Sequence, residues 1–363
     1  MSNENTIIHP SQASALTRTM SNLLRSREIA VLAVIVVIVV LTTLKSSSFI
    51  FSSDGWRNLL VTPSLLIVLA VGQAVVIITR NVDLSVGSTM GLTAYLAGKV
   101  FIAQPDLPVF LIFLIALAFG GALGLVNGVL VAFGRVPAMV ITLGTLYIYR
   151  GIFLTWAGSD RVNASDFPSG FLSLGTDKLF GLIPYLTIIA LLIMGVVGYY
   201  LRTARSGREL YAIGSDPDAA HLYGLPVTRR VLIAFVLSGA MAGLAGVIFA
   251  ARYGTVSSGV GSGMELQAVG AAVIGGVAIA GGVGTVWGAA LGASSSSRST
   301  WRCRSSASAT SGRRRSSELI IGAIVLDRVL AQRQERALVA SRDRARLDSP
   351  PPSNDTVKAG SPA

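Results

Sequence analysis

Long apolar runs alternate with short polar breaks along this chain, and the runs have the length of membrane crossings. They lie at 29–44, 59–79, 84–103, 108–133, 136–157, 180–201 and 231–251, and a further one begins at 265–280. A bilayer core takes about 20 apolar residues per helix, so most of these runs span it unaided and the first does so with its flanking residues. The pattern predicts an all-α, polytopic membrane protein of about 8–10 transmembrane helices, each satisfying its own backbone amides. Glycine recurs every four residues at Gly120, Gly124 and Gly128, at Gly239 and Gly243, and at Gly284, Gly288 and Gly292. Such stripes predict helix packing through close backbone approach, because lipid gives apolar side chains no drive to associate. The stretch 275–292 is glycine-rich enough for a broken or re-entrant helix. An internal echo pairs Val71-Gly-Gln-Ala-Val-Val and Val86-Gly-Ser-Thr-Met-Gly with Val269-Gly-Ala-Ala-Val-Ile and Val283-Gly-Thr-Val-Trp-Gly. Two related halves of a transporter would leave such a trace.

The polar breaks set the direction of each crossing. Residues 1–28 are polar and carry Arg18, Arg25 and Arg27 ahead of the first run, which places the N-terminus in the cytoplasm. Six crossings then return the chain to that side at 206–230, where Arg202, Arg205, Arg208, Arg229 and Arg230 gather. The loop 158–179, with Asp160, Asp166 and Asp177 against Arg161 and Lys178, falls outside. The segment 206–230 is a polar island in apolar text. Asp216 caps a helix that Pro217 opens, and Asp218 sits near the positive end of its dipole. Ala219, Ala220, His221 and Leu222 continue it, and Gly224 followed by Pro226 ends it. A short capped helix between two spans on the basic side is a place for another protein to push, the plainer alternative being a surface turn. A transmembrane domain over 29–332 then leaves 333–363 as a charged, Ser/Pro-rich tail, expected to be disordered and cytoplasmic.

Composition narrows the chemistry. A mean hydropathy of +0.65, with 52% hydrophobic and 13% charged residues, excludes a soluble domain. The net charge of +12 therefore points to membrane lipid headgroups or an acidic subunit patch, and no nucleic acid is expected. One cysteine, Cys303, permits neither an internal disulfide nor a thiolate metal site, and His9 and His221 make no metal cluster. There is no P-loop, paired carboxylate or nucleophile elbow, so no catalytic residue, metal or cofactor is expected and the chain is not an enzyme. Polar residues inside the runs remain. Gln73, Asn127, Thr142, Thr145, Tyr147, Glu265 and Gln267 are candidates to line a path for a hydroxylated solute, or else to bond helix to helix. Asp83, in the polar hinge 80–83, is a candidate proton or ion site, with helix capping as the simpler account.

Four ordered motifs carry a family resemblance. They are Asn81-Val-Asp-Leu-Ser-Val-Gly-Ser88, Pro137-Ala-Met-Val-Ile-Thr-Leu-Gly-Thr145 with Tyr149-Arg-Gly151, Gly207-Arg-Glu-Leu-Tyr-Ala-Ile-Gly214, and Ser238-Gly-Ala-Met-Ala-Gly-Leu-Ala-Gly246. Together they resemble the permeases of ribose/xylose/rhamnose-type ABC importers, a group that includes autoinducer-2 permeases. The resemblance implies a permease of about ten spans in the bacterial inner membrane, moving a monosaccharide or similar polyhydroxylated solute by alternating access. It further implies a second permease subunit (homo- or heterodimer), cytoplasmic ABC ATPase subunits that hydrolyse the ATP, and an extracytoplasmic sugar-binding protein. The coupling helix that docks into the ATPase maps onto residues 216–224. An ion-coupled secondary transporter and a non-transporting scaffold or receptor are the rival readings, separated from the first by dependence on ATP.

One stretch departs from the pattern. Residues 294–317 hold eleven Ser and six Arg in 24 residues, where the resemblance implies an apolar helix. A span does not carry six arginines near its centre at several kcal/mol each. The alternatives are a flexible basic cytoplasmic loop and a local shift of reading frame, compensated near Glu318. CTC leucine codons read one base late become TCC serine codons, which turns a Leu-rich helix into Ser-rich text. Translation of the coding DNA of this window in the other two frames should yield an apolar run of about 15–20 residues. Two polar translations would dispose of the frame-shift account.

Overall fold

The computed structural model describes residues 53–304 except Arg135, so the predicted first run at 29–44, the N-terminal tail and the tail 333–363 lie outside the described residues. Apolar sequence in a medium without water satisfies its backbone as helix, and the elements follow. They are α1 (Ser53–Ile78), α2 (Val86–Ala103), α3 (Val109–Gly134) and α4 (Ala138–Ala157), then a 3-10 turn at Ala164–Asp166 and the short α5 (Ser169–Thr176). A hairpin of β1 (Lys178–Leu179) and β2 (Ile183–Pro184) leads to α6 (Tyr185–Thr203). The island folds as α7 (Arg205–Ser215) and α8 (Pro217–Leu222), and the chain continues through α9 (Val227–Tyr253), α10 (Met264–Ile274) and α11 (Val286–Arg304). Among the described residues six helices, α1, α2, α3, α4, α6 and α9, are long and apolar enough to cross a membrane.

Helices α1 and α9 form the interior. The span of α1 is 94% buried, against 28% for α3 and for α4, whose outer faces present Phe110, Leu114, Met139 and Tyr147. Two glycine stripes meet where α3 crosses α9. A Cβ on Gly120 would overlap the Gly239 carbonyl, one on Gly124 the Phe235 carbonyl, and one on Gly243 the Ala116 carbonyl; one on Gly128 would lie 3.2 Å from Leu232 and Phe235. The third stripe packs α11 on α10, with Gly288 against the Gly275 carbonyl and Gly292 against that of Ala271.

Helical structure is broken at two places where the chain turns into the bundle. Residues 79–85 leave α1 and turn back inward, so that Asp83 bonds Ser238, eleven residues into α9 and thus about 16 Å from its start. Residues 254–263 follow α9 and fold inward against α2. A Cβ on Gly91 would overlap the Val260 carbonyl, and one on Gly261 the Gly87 carbonyl. The glycine-rich stretch 275–292 is broken as well: residues 275–285 are the turn between α10 and α11, and Gly282 N donates to the Ile78 carbonyl at 2.9 Å. The echoed segments thus form two helix–turn–helix hairpins whose turns touch.

The turns and α7 share one end of the bundle, with Arg80, Arg202, Arg205, Arg208, Arg229 and Arg230. The other end is closed by 158–179, which is no mere polar loop. Val162 bridges Val256, Phe171 packs on Phe101 at 4.9 Å and on Phe167 at 5.3 Å, and Lys99 pairs with Asp160 at 3.5 Å. Helix α11 continues through the serine-rich text to Arg304, with Ser295 and Ser296 buried. The basic-loop reading of 294–317 therefore does not apply to its described part.

Replacement of Gly239 by Ala should lower the unfolding temperature of detergent-solubilised protein, since overpacking a close contact costs about 1–3 kcal/mol. Gly144→Ala, where a Cβ meets nothing within 4 Å, should leave it unchanged or slightly raised.

Candidate functional site

Several polar side chains of the interior form one connected network. Tyr149 of α4 donates to the Leu123 carbonyl at 2.9 Å and lies 3.4 Å from Asn127 Oδ1. Asn127 Nδ2 donates to Ser85 Oγ at 2.7 Å, and Ser85 Oγ donates to Asp83 Oδ1 at 2.7 Å. Asp83 Oδ1 also accepts the Ser85 amide at 3.0 Å, and Oδ2 accepts Ser238 Oγ at 2.9 Å. Gln73 Nε2 donates to the Asp83 carbonyl at 2.9 Å, while Gln73 Oε1 is buried and has no hydrogen-bond partner. Thr142 Oγ1 donates to the Val82 carbonyl at 3.2 Å, and Thr145 Oγ1 to that of Thr142 at 3.2 Å. Four helices, α1, α3, α4 and α9, thus converge on the break 79–85, through side chains that are nearly all buried completely.

Two helix N-termini meet beside this network. Helix α2 starts at Val86 and α10 at Met264, and the backbone of Gly261 abuts that of Gly87. Each start has a carboxylate: Asp83 accepts the Ser85 amide, and Glu265 Oε1 accepts the Gly263 amide at 3.1 Å. The partial positive charge of a helix N-terminus favours both. Arg150, within α4, donates to the Val260 carbonyl at 2.6 Å and braces the second break. Broken helices with their N-termini at membrane depth are how transporters build solute sites from backbone and short polar side chains.

At the basic end, α8 is a short helix fixed at both termini. Asp216 Oδ1 accepts the amides of Asp218 at 3.1 Å and Ala219 at 3.0 Å, and Pro217 stands in the first turn. Gly224, at φ +74°, closes it, with Gly224 N on the His221 carbonyl and Leu225 N on that of Ala220, both at 3.0 Å. Ala220 is buried, whereas Leu222 and Tyr223 are each 86% exposed beside exposed His221. Behind it Glu209 of α7 joins Arg205 at 2.9 Å and Arg230 of α9 at 2.5 Å. The hydrogen bond from Arg230 above all, with Arg205 adding to it against the effect of burial, holds the Glu209 carboxyl below its usual range.

A family described as "Branched-chain amino acid transport system / permease component" matches residues 56–303, all but the ends of the described chain. The chain belongs to this permease family. The autoinducer 2 import system permease protein LsrC of Enterobacter sp. (strain 638) is 39% identical over 276 residues, 76% of this chain and 78% of that protein. Its namesake in Klebsiella pneumoniae is 37% identical over the same shares, and that of Salmonella typhimurium is 40% identical over 63% of this chain and 65% of its own. No solved structure matches. The permease is accordingly the multi-pass membrane subunit of an ABC importer, a transport component.

Within this permease, Gln73, Asn127, Thr142 and Thr145 come together in the buried network. Glu265 and Gln267 lie half-buried on α10, Glu265 at the meeting point of the two breaks. Tyr147 does not join them: it is 68% exposed on the outer face of α4, because two residues along a helix turn a side chain away, and Tyr149 takes the inner position. Ser85, Ser238 and Tyr149 escaped the sequence reading, since hydroxyls are ordinary in spans. Arg150 carried a signal, a cation in mid-span.

Replacement of Glu209 by Gln should lower the stability of the solubilised permease by roughly 1–3 kcal/mol at neutral pH. A carboxyl whose folded value is depressed stabilises fully above its unfolded value near 4.5 and loses that contribution as pH falls through the folded value. The gap between wild type and variant in denaturation midpoint should therefore narrow in acid.

Proposed function

We propose that this permease admits a small polyhydroxylated solute, of the class that autoinducer 2 and monosaccharides represent, and moves it inward by alternating access. The ligand class is supported by the chemistry of the network. Its side chains are amides and hydroxyls around one carboxylate, with an amide oxygen free to accept from a ligand hydroxyl. An amino acid would call for a matched pair of opposite charges, although the family description names branched-chain amino acids. The two breaks supply backbone groups at membrane depth, and the closely packed glycine contacts allow α3 and α9 to slide without changing side-chain rotamers.

The drive comes from outside the chain. Helix α8 is the coupling helix, and the basic end is the cytoplasmic one. There an ATPase subunit, which hydrolyses the ATP, receives Leu222 and Tyr223 in a groove, while a solute-binding protein delivers the ligand to the opposite end. A second permease subunit completes the pathway. The observation that carries this reading is the pair Leu222 and Tyr223, apolar and almost wholly exposed on a helix that is itself held rigidly at both ends. Large exposed apolar side chains on such a mount mark a protein contact.

Ala220 is a poor probe, since a charge there would enter the packing of α8. Leu222→Glu with Tyr223→Glu changes only exposed positions. Detergent extracts of membranes in which the ATPase is expressed should yield the ATPase with the wild type, and at least about tenfold less with the double variant. Equal capture by both proteins would remove α8 as the docking element.

A further inference from the structure

The docking helix and the buried network are joined through one side chain. Arg80 stands in the first break, three residues before Asp83, at φ +63°. That left-handed conformation is unusual for an arginine and natural for a glycine. Two bonds hold it there: Nε donates to the Gly214 carbonyl at 2.6 Å, and a terminal nitrogen donates to the Ser215 carbonyl. Those carbonyls end α7 immediately before Asp216, the cap of α8. Carbonyls at a helix C-terminus carry partial negative charge, so the guanidinium fork completes the end of α7 as it grips it.

The junction has no slack. A Cβ on Gly214 would overlap the Ile78 carbonyl, and one on Gly281 the Arg80 side chain. The backbone between Arg80 and Asp83 is braced as well. Thr79 Oγ1 donates to the Val76 carbonyl at 2.7 Å, Asn81 Nδ2 to that of Thr79 at 2.9 Å, Thr142 to that of Val82 and Gln73 to that of Asp83. A displacement of the α7–α8 corner therefore reaches Asp83 through few soft torsions, and Asp83 in turn holds Ser238 of α9.

We propose that Arg80 is the positioning residue that transmits movement of α8 to the buried polar network. Pulling on the Gly214 and Ser215 carbonyls draws the 79–85 break with it, and the Asp83–Ser238 bond is remade or broken as the pathway changes access. This rests on the importer reading above, and its test separates the two.

Arg80→Gly suits the positive φ, so the variant should fold, and it removes the grip entirely. Wild type and variant are reconstituted with the ATPase and the binding protein, and three quantities are read: ATPase capture, solute uptake, and stimulation of ATP hydrolysis by loaded binding protein. The expected result is capture within about twofold of wild type, uptake reduced about tenfold or more, and hydrolysis that no longer responds to the binding protein. Arg80→Lys, which offers a point charge in place of the fork, should recover part of the uptake. Uptake by Arg80→Gly within about twofold of wild type overturns the proposal. So does loss of ATPase capture in that variant, which would make Arg80 a prop for the docking helix alone. Failure of the wild type to capture any ATPase sinks the importer coupling itself, before the variant is compared.

Discussion

Hydrocarbon offers no partner to a backbone amide or a carboxylate, and the interior of this permease is arranged around that constraint. Where the chain abandons helix at 79–85, nearby side chains are recruited to the exposed backbone: Gln73 takes the Asp83 carbonyl, Thr142 that of Val82, and Asp83 the Ser85 amide. Where it does so again at 254–263, Arg150 and Glu265 serve. Leaving such groups unmet costs several kcal/mol each. Helix α1 has to lie deep in the bundle because the first break cannot face lipid, and α2 and α10 begin inside the bundle because both breaks end there.

Helix α9 ties these arrangements together. Near its start Arg230 is held by Glu209. About two turns further on, Ser238 meets Asp83. Gly239 and Gly243 then allow α3 to approach to backbone contact. At its far end Arg252 donates to the Val61 carbonyl at 3.0 Å and to Thr62 Oγ1 at 2.8 Å, which fixes it to α1. A single rod of 27 residues thus passes from the docking module, through the polar network and the glycine contact, to the opposite end. A helix transmits displacement along its axis with little internal compliance, so the site and the docking module share one mechanical frame.

The limits of a linear reading show at particular residues. Asp83 reads as a hinge residue that caps a helix, and it does accept the Ser85 amide. Its bond to Ser238, 155 positions away, has no trace in local sequence. Tyr147 and Tyr149 are equally polar on paper, and only the rotation of α4 within the bundle turns the second inward. Glycine density marks both a break and a close approach, and the break at 254–263 lies ahead of the stretch 275–292 where that density is highest. Gly275, Gly288 and Gly292 serve the second purpose, while Gly261 and Gly263 lie in the break.

The number and order of the apolar runs within the described chain, the basic bias of one end, and the Asp216-capped helix are legible in the residues alone. Each depends on residues near one another in the chain: hydropathy over a window of about 20 residues, charges flanking it, and a cap within three positions. Which polar side chains face one another, that the two glycine stripes meet, and that Arg80 reaches the end of α7 follow only from the packed bundle. Those contacts depend on helix rotation and depth, which packing against distant segments sets, and no local pattern records either.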